Sequence, residues 1–336
     1  MKRTVTFGEI MLRLKTPEHM RILQTDAFEA SYGGAEANVA VSLAVLKDPV
    51  SFVTKLPENP VGTAALNEVR RYGADTSKVV IGGSRLGIYF FEKGTDIRPT
   101  NVVYDREGSA LALAKPEEFH WDEILKDTDI FYFSGVTPAV SENIAKAVLE
   151  ALKYCKAHGI ETVCDLNYRS KMWDTKKAQS VMSELMNYVT LCIANDEDFE
   201  SSLGIHAYDG GIDQIESYKA GMKEIQNRYP NCKAVASVLR NMYTAEDGDW
   251  MAIYLKDGVF YESPVHKVHS FEAVGAGDAF AGALLHSLVR GFEPQKLIDF
   301  SISASVLKLM IQRDFNLVTE NEIMRVMESK AANLQR

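Results

Sequence analysis

A glycine-rich turn that runs directly into a predicted helix is the strongest chemical signal in the sequence. Gly275, Ala276 and Gly277 precede Asp278, and apolar residues then recur at helical spacing through Leu288. Such a turn leaves backbone N–H groups free at a helix N-terminus, where they and the helix dipole favour an anion. A carboxylate in the first helical turn can accept a proton from a hydroxyl. The pattern therefore predicts an anion hole at Gly275, Ala276 and Gly277 beside a general base, Asp278, as phosphoryl transfer requires.

A purely structural role for these residues is the alternative. The glycines could form only a tight turn, with Asp278 capping the helix, and short glycine motifs often occur by chance. The sequence contains no G-x-x-x-x-G-K-[ST] motif and no G-x-G-x-x-G after a predicted strand. It therefore disfavours a P-loop and a Rossmann dinucleotide site.

A second glycine pair lies near the N-terminus. Gly33 and Gly34 precede a predicted helix over 35–46, and Asn38 lies one turn into it. Glycines let the chain bend sharply and let a ligand approach the backbone closely. A plain hinge or turn would use them equally well.

The elements that must position these turns alternate between strands and helices, which is typical of an α/β protein with a largely parallel sheet. Residues 129–134, 141–158 and 161–166 form a predicted strand–helix–strand unit, with Gly159 ending the helix. Further along the chain the sequence predicts helices over 175–189 and 212–228 and strands over 190–194 and 234–239. A strand pair over 250–255 and 259–262 and then three helices follow, and Thr319 and Glu322 form a capping box for the last helix.

Two segments interrupt this alternation. Residues 13–32 and 85–113 alternate between apolar and polar positions as half-exposed strands do. We expect them to form a small sheet, separate from the main one, that could serve as a lid. The main domain is then expected to comprise 1–12, 33–84 and 114–336.

Composition and charge disfavour several classes of protein. Acidic residues outnumber basic ones by 46 to 37 without a basic run, so no nucleic-acid partner is expected. The N-terminus is a poor signal peptide, and no apolar run approaches the roughly 18 residues of a membrane span. We expect no membrane partner and a cytoplasmic location. The four cysteines are widely spaced and form no C-x-x-C pair, so they are predicted to be reduced core residues.

Two segments together carry a family resemblance. SYGGAEANVAVSLA and AVGAGDAFAGA, about 240 residues apart in this order, resemble the ribokinase-like (PfkB) family of carbohydrate kinases over nearly the whole chain. Within it, GGAEANVA, VVYDREGSA and DLNYRSKMW look like the 2-keto-3-deoxygluconate kinases. The resemblance implies a ribokinase-like fold with a central, mostly parallel sheet, flanking helices and a small β-sheet lid. It also implies transfer of a phosphoryl group from ATP, with Mg²⁺, to a sugar acid, and a homodimer or higher homo-oligomer formed through the lid.

The resemblance assigns further roles to individual residues. Arg106 and Arg169 would bind a carboxylate through charge-assisted hydrogen bonds, although an isolated arginine is more often a solvated surface charge. The substrate-binding residues implied are Gly33, Gly34, Asn38, Tyr89, Tyr104, Arg106 and Arg169. Those implied on the nucleotide side are Asn167, Asn195, Ser237 and Arg240, with Asp198 acting on magnesium through water and Glu197 as the alternative.

The chain departs from the family pattern at several positions. Glu272 and Ala273 stand where the family has Asp and Thr, Asp198 stands where it has Glu, and Arg240 replaces a frequent glycine. The roles of the first two positions are left undetermined, and the residues that contact adenine are not identified. The alternative substrates are fructose or a related keto sugar, which the two arginines disfavour. A sugar-binding regulatory protein without activity is the alternative from another class, which the intact run from Gly275 to Asp278 disfavours.

Overall fold

A computed structural model describes residues 2–206 and 211–328. The strands are β1 (Thr4–Phe7), β2 (Met11–Lys15), β3 (Glu29–Gly33), β4 (Val50–Val53), β5 (Lys55–Leu56), β6 (Val80–Ile81), β7 (Ile88–Glu92), β8 (Asn101–Asp105), β9 (Ile130–Ser134), β10 (Glu161–Asp165), β11 (Leu191–Ile193), β12 (Ala234–Met242), β13 (Asp247–Lys256), β14 (Val259–Glu262) and β15 (His266–His269). The helices are α1 (Ala35–Val45), α2 (Pro60–Arg70), α3 (Trp121–Ile124), α4 (Val136–Val140), α5 (Glu142–His158), α6 (Thr175–Met186), α7 (Asp196–Leu203), α8 (Ile215–Arg228), α9 (Ala276–Arg290), α10 (Pro294–Lys308) and α11 (Glu320–Met327).

The main sheet has nine strands in the order β14-β13-β12-β11-β10-β9-β1-β4, and β15 pairs with the far end of β13. All pairings from β4 to β12 are parallel, whereas β13 pairs antiparallel with each of its neighbours. The expected α/β fold with a mostly parallel sheet is thus confirmed. Strand β9 is buried along its whole length, as parallel strands covered by helices on both faces are. Phe131 and Phe133 pack into the core on one face, and Ile130 and Tyr132 into the core on the other.

The predicted helices and strands agree with the structure apart from their ends. Helix α5 begins after Ser141, whose side chain accepts a hydrogen bond from the N–H of Ile144, and ends at Gly159 in the left-handed conformation. The capping box of Thr319 and Glu322 is present at α11. Several ends differ. Helix α1 stops at Val45 and α6 at Met186, and residues 212–214 form a separate 3-10 turn before α8. Strand β12 continues to Met242 because β13 pairs with it along its full length.

The small sheet expected from the two interrupting segments is present, with the order β3-β2-β7-β8. Strands β2 and β7 are parallel and form its centre, while β3 and β8 flank them antiparallel. Strand β2 starts two residues before the expected segment, and β3 ends at Gly33, from which the chain enters α1 after one residue. The small sheet is therefore joined directly to the helix that carries Asn38. Strands β5 and β6 form a separate two-stranded sheet.

The cysteines behave as the sequence predicts. Cys155, Cys164, Cys192 and Cys232 are all buried and unbridged. Burial raises the pKa of Cys155 and of Cys232 to about 12, which keeps both thiols protonated. Within 2–206 and 211–328, no helix is both long and apolar enough to cross a membrane.

Candidate active site

The carboxyl ends of the parallel strands open into one cavity of about 330 Å³. This is the edge of an α/β sheet at which ligands bind, and the volume lies in the range of small-molecule sites. The small sheet covers it with Tyr89, Phe91, Val102 and Tyr104. Of the predicted site residues, those that line the cavity are Gly34, Asn38, Tyr89, Tyr104, Arg106, Asn167, Arg169, Asn195, Glu197, Asp198, Arg240, Gly275, Ala276, Gly277 and Asp278.

Two predicted residues are absent from that lining. Gly33 packs against the carboxylate of Asp314, where a Cβ atom would overlap the carboxylate. Ser237 is fully buried, and its hydroxyl donates to the carbonyl of Ala194. The structure thus places Gly33 and Ser237 behind the cavity wall, where they shape it without facing it.

The glycine turn leads into α9 as the sequence predicts. Gly275 is the N-cap in the left-handed conformation, with φ of 76°, and a Cβ there would overlap the carbonyl oxygen of Asp314. The amide of Ala276 donates to the carbonyl of Ala273 at 3.2 Å, so it is already engaged. The amides of Gly277 and Asp278 lie in the first helical turn, where no carbonyl four residues earlier belongs to the helix. These two amides are available to an anion, and the predicted role of Ala276 stays a prediction.

Asp278 is connected to the other glycine motif. Asn38 Nδ2 donates to Asp278 Oδ2 at 2.6 Å, and Asn38 Oδ1 accepts from the N–H of Gly34 at 3.2 Å. Burial raises the pKa of Asp278 to about 6, while the bond from Asn38 and the charge of Arg169 oppose that rise. A carboxyl with this pKa is ionised near neutrality and still basic enough to accept a proton.

Arg106 and Arg169 both line the cavity but differ in their surroundings. Arg106 forms an ion pair with Glu9, and its Nη1 lies 3.2 Å from the sulfur of Met172. Its Nε atom is buried and has no hydrogen-bond partner in the described part of the chain. Arg169 is exposed, and its Nη1 donates to the carbonyl of Tyr168 at 2.9 Å. Arg106 therefore lines the cavity with its charge paired to Glu9, whereas Arg169 has no ion pair there among the described residues.

The residues expected on the nucleotide side lie along the ends of β10, β11 and β12. Asn167 has a left-handed backbone, with φ of 41°, which asparagine tolerates better than most residues. Asn195 Oδ1 accepts from the N–H of Val238 at 3.0 Å and so ties two strand ends together. The guanidinium of Arg240 lies 5.4 Å from the ring centre of Trp250. From Arg240 a second, more open cleft continues past Asn241.

Acidic side chains lie beside these residues. Asp198 accepts from the N–H groups of Tyr168 at 2.7 Å and of Asn195 at 2.9 Å, one on each carboxylate oxygen. Asp165 is buried, and its Oδ1 has no hydrogen-bond partner among the described residues. Burial and the charges of Asp198 and Asp278 raise the pKa of Asp165 well above its usual range. Such a carboxyl would be stabilised in its ionised form by a bound cation.

Two cavity-wall carboxylates, Asp165 and Asp314, were not among the predicted site residues, and neither was Glu9, which pairs with the cavity-lining Arg106. Asp165 lies near the end of a predicted strand and is the last residue of β10, and that position at the carboxyl edge of a parallel sheet is a usable signal. Glu9 lies two residues after β1. Asp314 lies in the irregular segment between α10 and α11, and no local pattern marks it.

Glu272, whose role the sequence left undetermined, belongs to a buried charge cluster. Its carboxylate lies 2.5 Å from Arg13 Nη2 and 3.3 Å from Lys15 Nζ. Arg13 in turn lies 3.0 Å from Asp314, and Lys308 is buried nearby. Burial lowers the pKa of Lys308 to about 8, although the neighbouring carboxylates oppose this. Glu272 thus anchors strand β2 to the segment before α9 and does not reach the cavity.

Residues 1–309 match the family described as pfkB family carbohydrate kinases. The chain belongs to this family. As a PfkB carbohydrate kinase it is an enzyme.

Individual PfkB relatives extend over the whole chain. A protein named 2-dehydro-3-deoxygalactonokinase from Haloferax volcanii is 34% identical over 332 residues, which cover 99% of this chain and 98% of the relative. The crystal structure of a 2-dehydro-3-deoxygluconokinase from Thermotoga maritima superposes with a TM-score of 0.94 at 43% identity, covering 98% of this chain and 100% of that one. An E. coli protein named as a candidate ribokinase II, solved with ATP and Mg²⁺, has a TM-score of 0.82 at 16% identity, with 98% and 100% covered, and is similar in fold alone.

Proposed function

We propose that this PfkB kinase transfers the γ-phosphoryl group of ATP to 2-keto-3-deoxygluconate, also named 2-dehydro-3-deoxygluconate, and forms its 6-phosphate. The observation that carries the proposal is that the guanidinium-bearing Arg106 and the carboxyl of Asp278 line one cavity. A sugar acid supplies a carboxylate for the first group and a hydroxyl for the second. The names of the relatives from Haloferax volcanii and Thermotoga maritima support the same class of substrate.

In this proposal Asp278 accepts the proton of the attacking hydroxyl. Its pKa of about 6 makes it ionised at neutral pH, and Asn38 holds one of its oxygens. The second oxygen is left for the substrate hydroxyl. The amides of Gly277 and Asp278, together with the positive end of α9, stabilise the negative charge on the phosphoryl group.

The proposed Mg²⁺ requirement agrees with the chemistry of the available side chains. Asp165, Asp198 and Glu197 offer carboxylate oxygens in the cavity, and oxygen is the ligand that Mg²⁺ prefers. Among residues 2–206 and 211–328, no group of three or more acidic, histidine or cysteine side chains could hold a metal by itself. Bound Mg²⁺ would neutralise charge on the phosphates of ATP. Asp165 would hold it most directly, and Asp198, whose oxygens accept backbone amides, would act through water.

The nucleotide is proposed to lie along Asn167, Asn195 and Arg240 and to extend into the cleft beyond Arg240. ATP is the phosphoryl donor of this family, and the E. coli structure named as a candidate ribokinase II contains ATP and Mg²⁺. The small sheet is proposed to act as a lid on the opposite, sugar side. The division into a main domain and a lid remains a proposal, as does a location in the cytoplasm.

The substrate is tested by a two-by-two comparison of wild type and Arg106→Ala on 2-keto-3-deoxygluconate and on fructose, at fixed ATP and Mg²⁺. Hydrogen bonds to charged groups contribute about 1.5 to 3 kcal/mol, so kcat/KM for the sugar acid should fall roughly 10- to 150-fold. Any activity on fructose should change little. Arg85→Ala is the matched control, because Arg85 lies just before β7 and contacts Asp105 outside the cavity.

Two results would contradict this assignment. Equal losses on both substrates would mean that Arg106 supports the small sheet and does not recognise the acid. If the wild type prefers fructose, the proposed substrate is wrong and only the assignment as a sugar kinase stands.

We also propose that the chain forms a homodimer through the outer face of the small sheet. That face carries Leu14, Phe28, Phe90 and Val103, and Phe28 and Val103 are 37% and 45% exposed. Light scattering of the wild type should give twice the mass of one chain. The Val103→Glu variant should give the mass of a single chain. Val259→Glu, at a similarly exposed valine of the main sheet, should leave the mass unchanged. A wild type that is already monomeric would refute the dimer.

A further inference from the structure

Asp314 is a buried carboxylate at the junction of the small sheet and the glycine turn. One oxygen lies 3.0 Å from Arg13 Nη1, across 301 residues of sequence, and the other accepts a hydrogen bond from the hydroxyl of Tyr89. Both Asp314 and Tyr89 line the cavity. The contact therefore joins a side chain that faces the sugar to a buried charge cluster.

The charges around Asp314 determine the direction of its bond with Tyr89. Arg13 is buried between Asp314 and Glu272, and a guanidinium keeps its charge in proteins. Burial raises the pKa of Asp314, while the charge of Arg13 and the hydrogen bonds from Tyr89 and Arg13 oppose that rise. Beside this guanidinium Asp314 is a carboxylate, which can only accept hydrogen bonds. Burial and the charge of Asp314 raise the pKa of Tyr89 well above its usual value, so the phenol stays protonated. Its single proton is consequently directed at Asp314.

A phenol whose proton is already donated has only acceptor capacity left. We propose that Asp314 makes Tyr89 an obligate hydrogen-bond acceptor, so that the substrate meets Tyr89 with a hydroxyl and not with its keto oxygen or carboxylate. Asp314 is then a positioning residue for specificity, since it acts through Tyr89. The inference rests on the proposed function for the identity of the sugar acid.

The geometry holds this pair in place. A Cβ atom at Gly33 would overlap the Asp314 carboxylate, and one at Gly275 would overlap the Asp314 carbonyl. Tyr89 packs beside Tyr104 with ring centres 6.2 Å apart. The carboxylate therefore has little freedom to turn away from Tyr89.

The pair also orients the substrate within the cavity. Asp314 and Asp278 are close enough for the charge of Asp314 to raise the pKa of Asp278. A substrate carboxylate near either would meet a like charge. The acid end is therefore directed toward Arg106, and the hydroxyl-bearing end toward Tyr89 and Asp278.

The test measures binding by calorimetry without ATP, using 2-keto-3-deoxygluconate and analogues in which each hydroxyl in turn is replaced by fluorine. Fluorine cannot donate a hydrogen bond. One analogue should bind the wild type about 3- to 12-fold more weakly than the parent, the worth of one hydrogen bond. The Tyr89→Phe variant should bind the parent compound more weakly than the wild type does, by a similar factor. It should bind the fluorinated analogue with the same affinity as the parent compound.

Asp314→Asn tests the direction of the proton. The carboxamide at position 314 in this variant can donate a hydrogen bond to the phenol oxygen, and the phenol is then free to donate its own proton to the ligand. The loss of affinity caused by fluorine, the fluorine penalty, should therefore shrink or vanish. Glu272→Gln is the matched control, because it removes a charge from the same cluster without contacting Tyr89. It should retain the wild-type penalty.

Several outcomes would overturn the inference. If Tyr89→Phe keeps every fluorine penalty, Tyr89 meets no hydroxyl. If folded Asp314→Asn keeps the wild-type pattern, Asp314 does not direct the proton, and if that variant fails to fold, the Tyr89→Phe comparison decides. If 2-keto-3-deoxygluconate does not bind the wild type, the proposed substrate has failed, and the same series made from fructose decides the role of Tyr89.

Discussion

Asn38 donates a 2.6 Å hydrogen bond to Asp278 across 240 residues of sequence. The bond joins the two glycine motifs, because Asn38 lies in the first turns of α1 and Asp278 in the first turn of α9. It leaves one oxygen of Asp278 for the substrate and favours the ionised form of the carboxyl. The base of the proposed reaction is thus positioned by the opposite end of the chain.

Asp278→Asn should lower turnover by a factor on the order of 10² to 10⁴, the usual contribution of a positioned base. Calorimetry should show nearly unchanged binding of the sugar acid, because only a proton acceptor is lost. Both quantities are measured on protein whose melting temperature matches the wild type. Wild-type turnover in this variant would remove Asp278 from the mechanism.

The pH dependence of kcat/KM should report the pKa of Asp278. Activity should fall as the pH drops through about 6, since protonated Asp278 cannot act as a base. Asn38→Ala removes a bond that favours the ionised form. Because such bonds contribute about 1.5 to 3 kcal/mol and one pKa unit is about 1.4 kcal/mol, the acid limb should move up by roughly one to two pH units. An acid limb at the same pH in both proteins would show that another group titrates.

Gly275→Ala and Gly277→Ala should differ sharply in stability. Alanine at position 275 would adopt a left-handed backbone and overlap the Asp314 carbonyl, whereas nothing lies within 4 Å of a Cβ at position 277. The first change should cost more than about 1 kcal/mol of unfolding free energy, and the second only a few tenths. Urea unfolding without ligands measures both. Equal losses would mean that the turn can relax around the added methyl group.

Glu36 should make stability depend on pH in an unusual direction. It is fully buried and accepts hydrogen bonds from Ser134 and Thr137, yet burial raises its pKa to about 7 from 4.5. Between about pH 4.5 and 7, Glu36 is ionised in the unfolded chain but still protonated in the folded one. The free energy of unfolding should therefore fall as the pH rises from about 4.5 to about 7. Glu36→Gln should remove this fall and be more stable above pH 7, by an amount on the order of 1 to 3 kcal/mol.

The measurement is urea unfolding of wild type and Glu36→Gln from pH 5 to 8. Glu150→Gln, on an exposed face of α5, is the matched control and should follow the wild-type curve. Parallel curves for wild type and Glu36→Gln would show that Glu36 does not titrate in this range.

Activity should require a divalent cation. The carboxylates in the cavity suit a loosely held Mg²⁺ and no zinc-type cluster of histidine and cysteine accompanies them in the described ranges. Chelation should abolish turnover of the wild type, and excess Mg²⁺ should restore it. Asp165→Asn should raise the Mg²⁺ concentration needed for half activity. Glu150→Gln, a substitution of an exposed residue, should leave that concentration unchanged. Full turnover after exhaustive chelation would contradict the requirement.

Local patterns in the sequence determined the elements and the reactive turn. The periodicity of 141–158 with Ser141 and Gly159 at its ends suffices for α5, since capping and helical spacing are properties of neighbouring residues. In the same way Gly275 to Asp278 predicts a turn at a helix N-terminus. The two interrupting segments likewise predicted a small sheet, because strand alternation is also local. The family resemblance added the arginines and tyrosines that line the cavity.

Tertiary structure alone decided which distant groups meet. Asp314 lies in an irregular segment, and its contacts with Arg13 and Tyr89 span 301 and 225 residues, so no local pattern could mark it. The pairing of Arg106 with Glu9 and of Glu272 with Arg13 arises in the same way. The bond from the amide of Ala276 to the carbonyl of Ala273 is likewise a contact that no sequence motif marks. Hydrogen-bond partners and burial depend on where the folded chain places each group, and that placement sets the pKa of Asp278 and the direction of the Tyr89 proton.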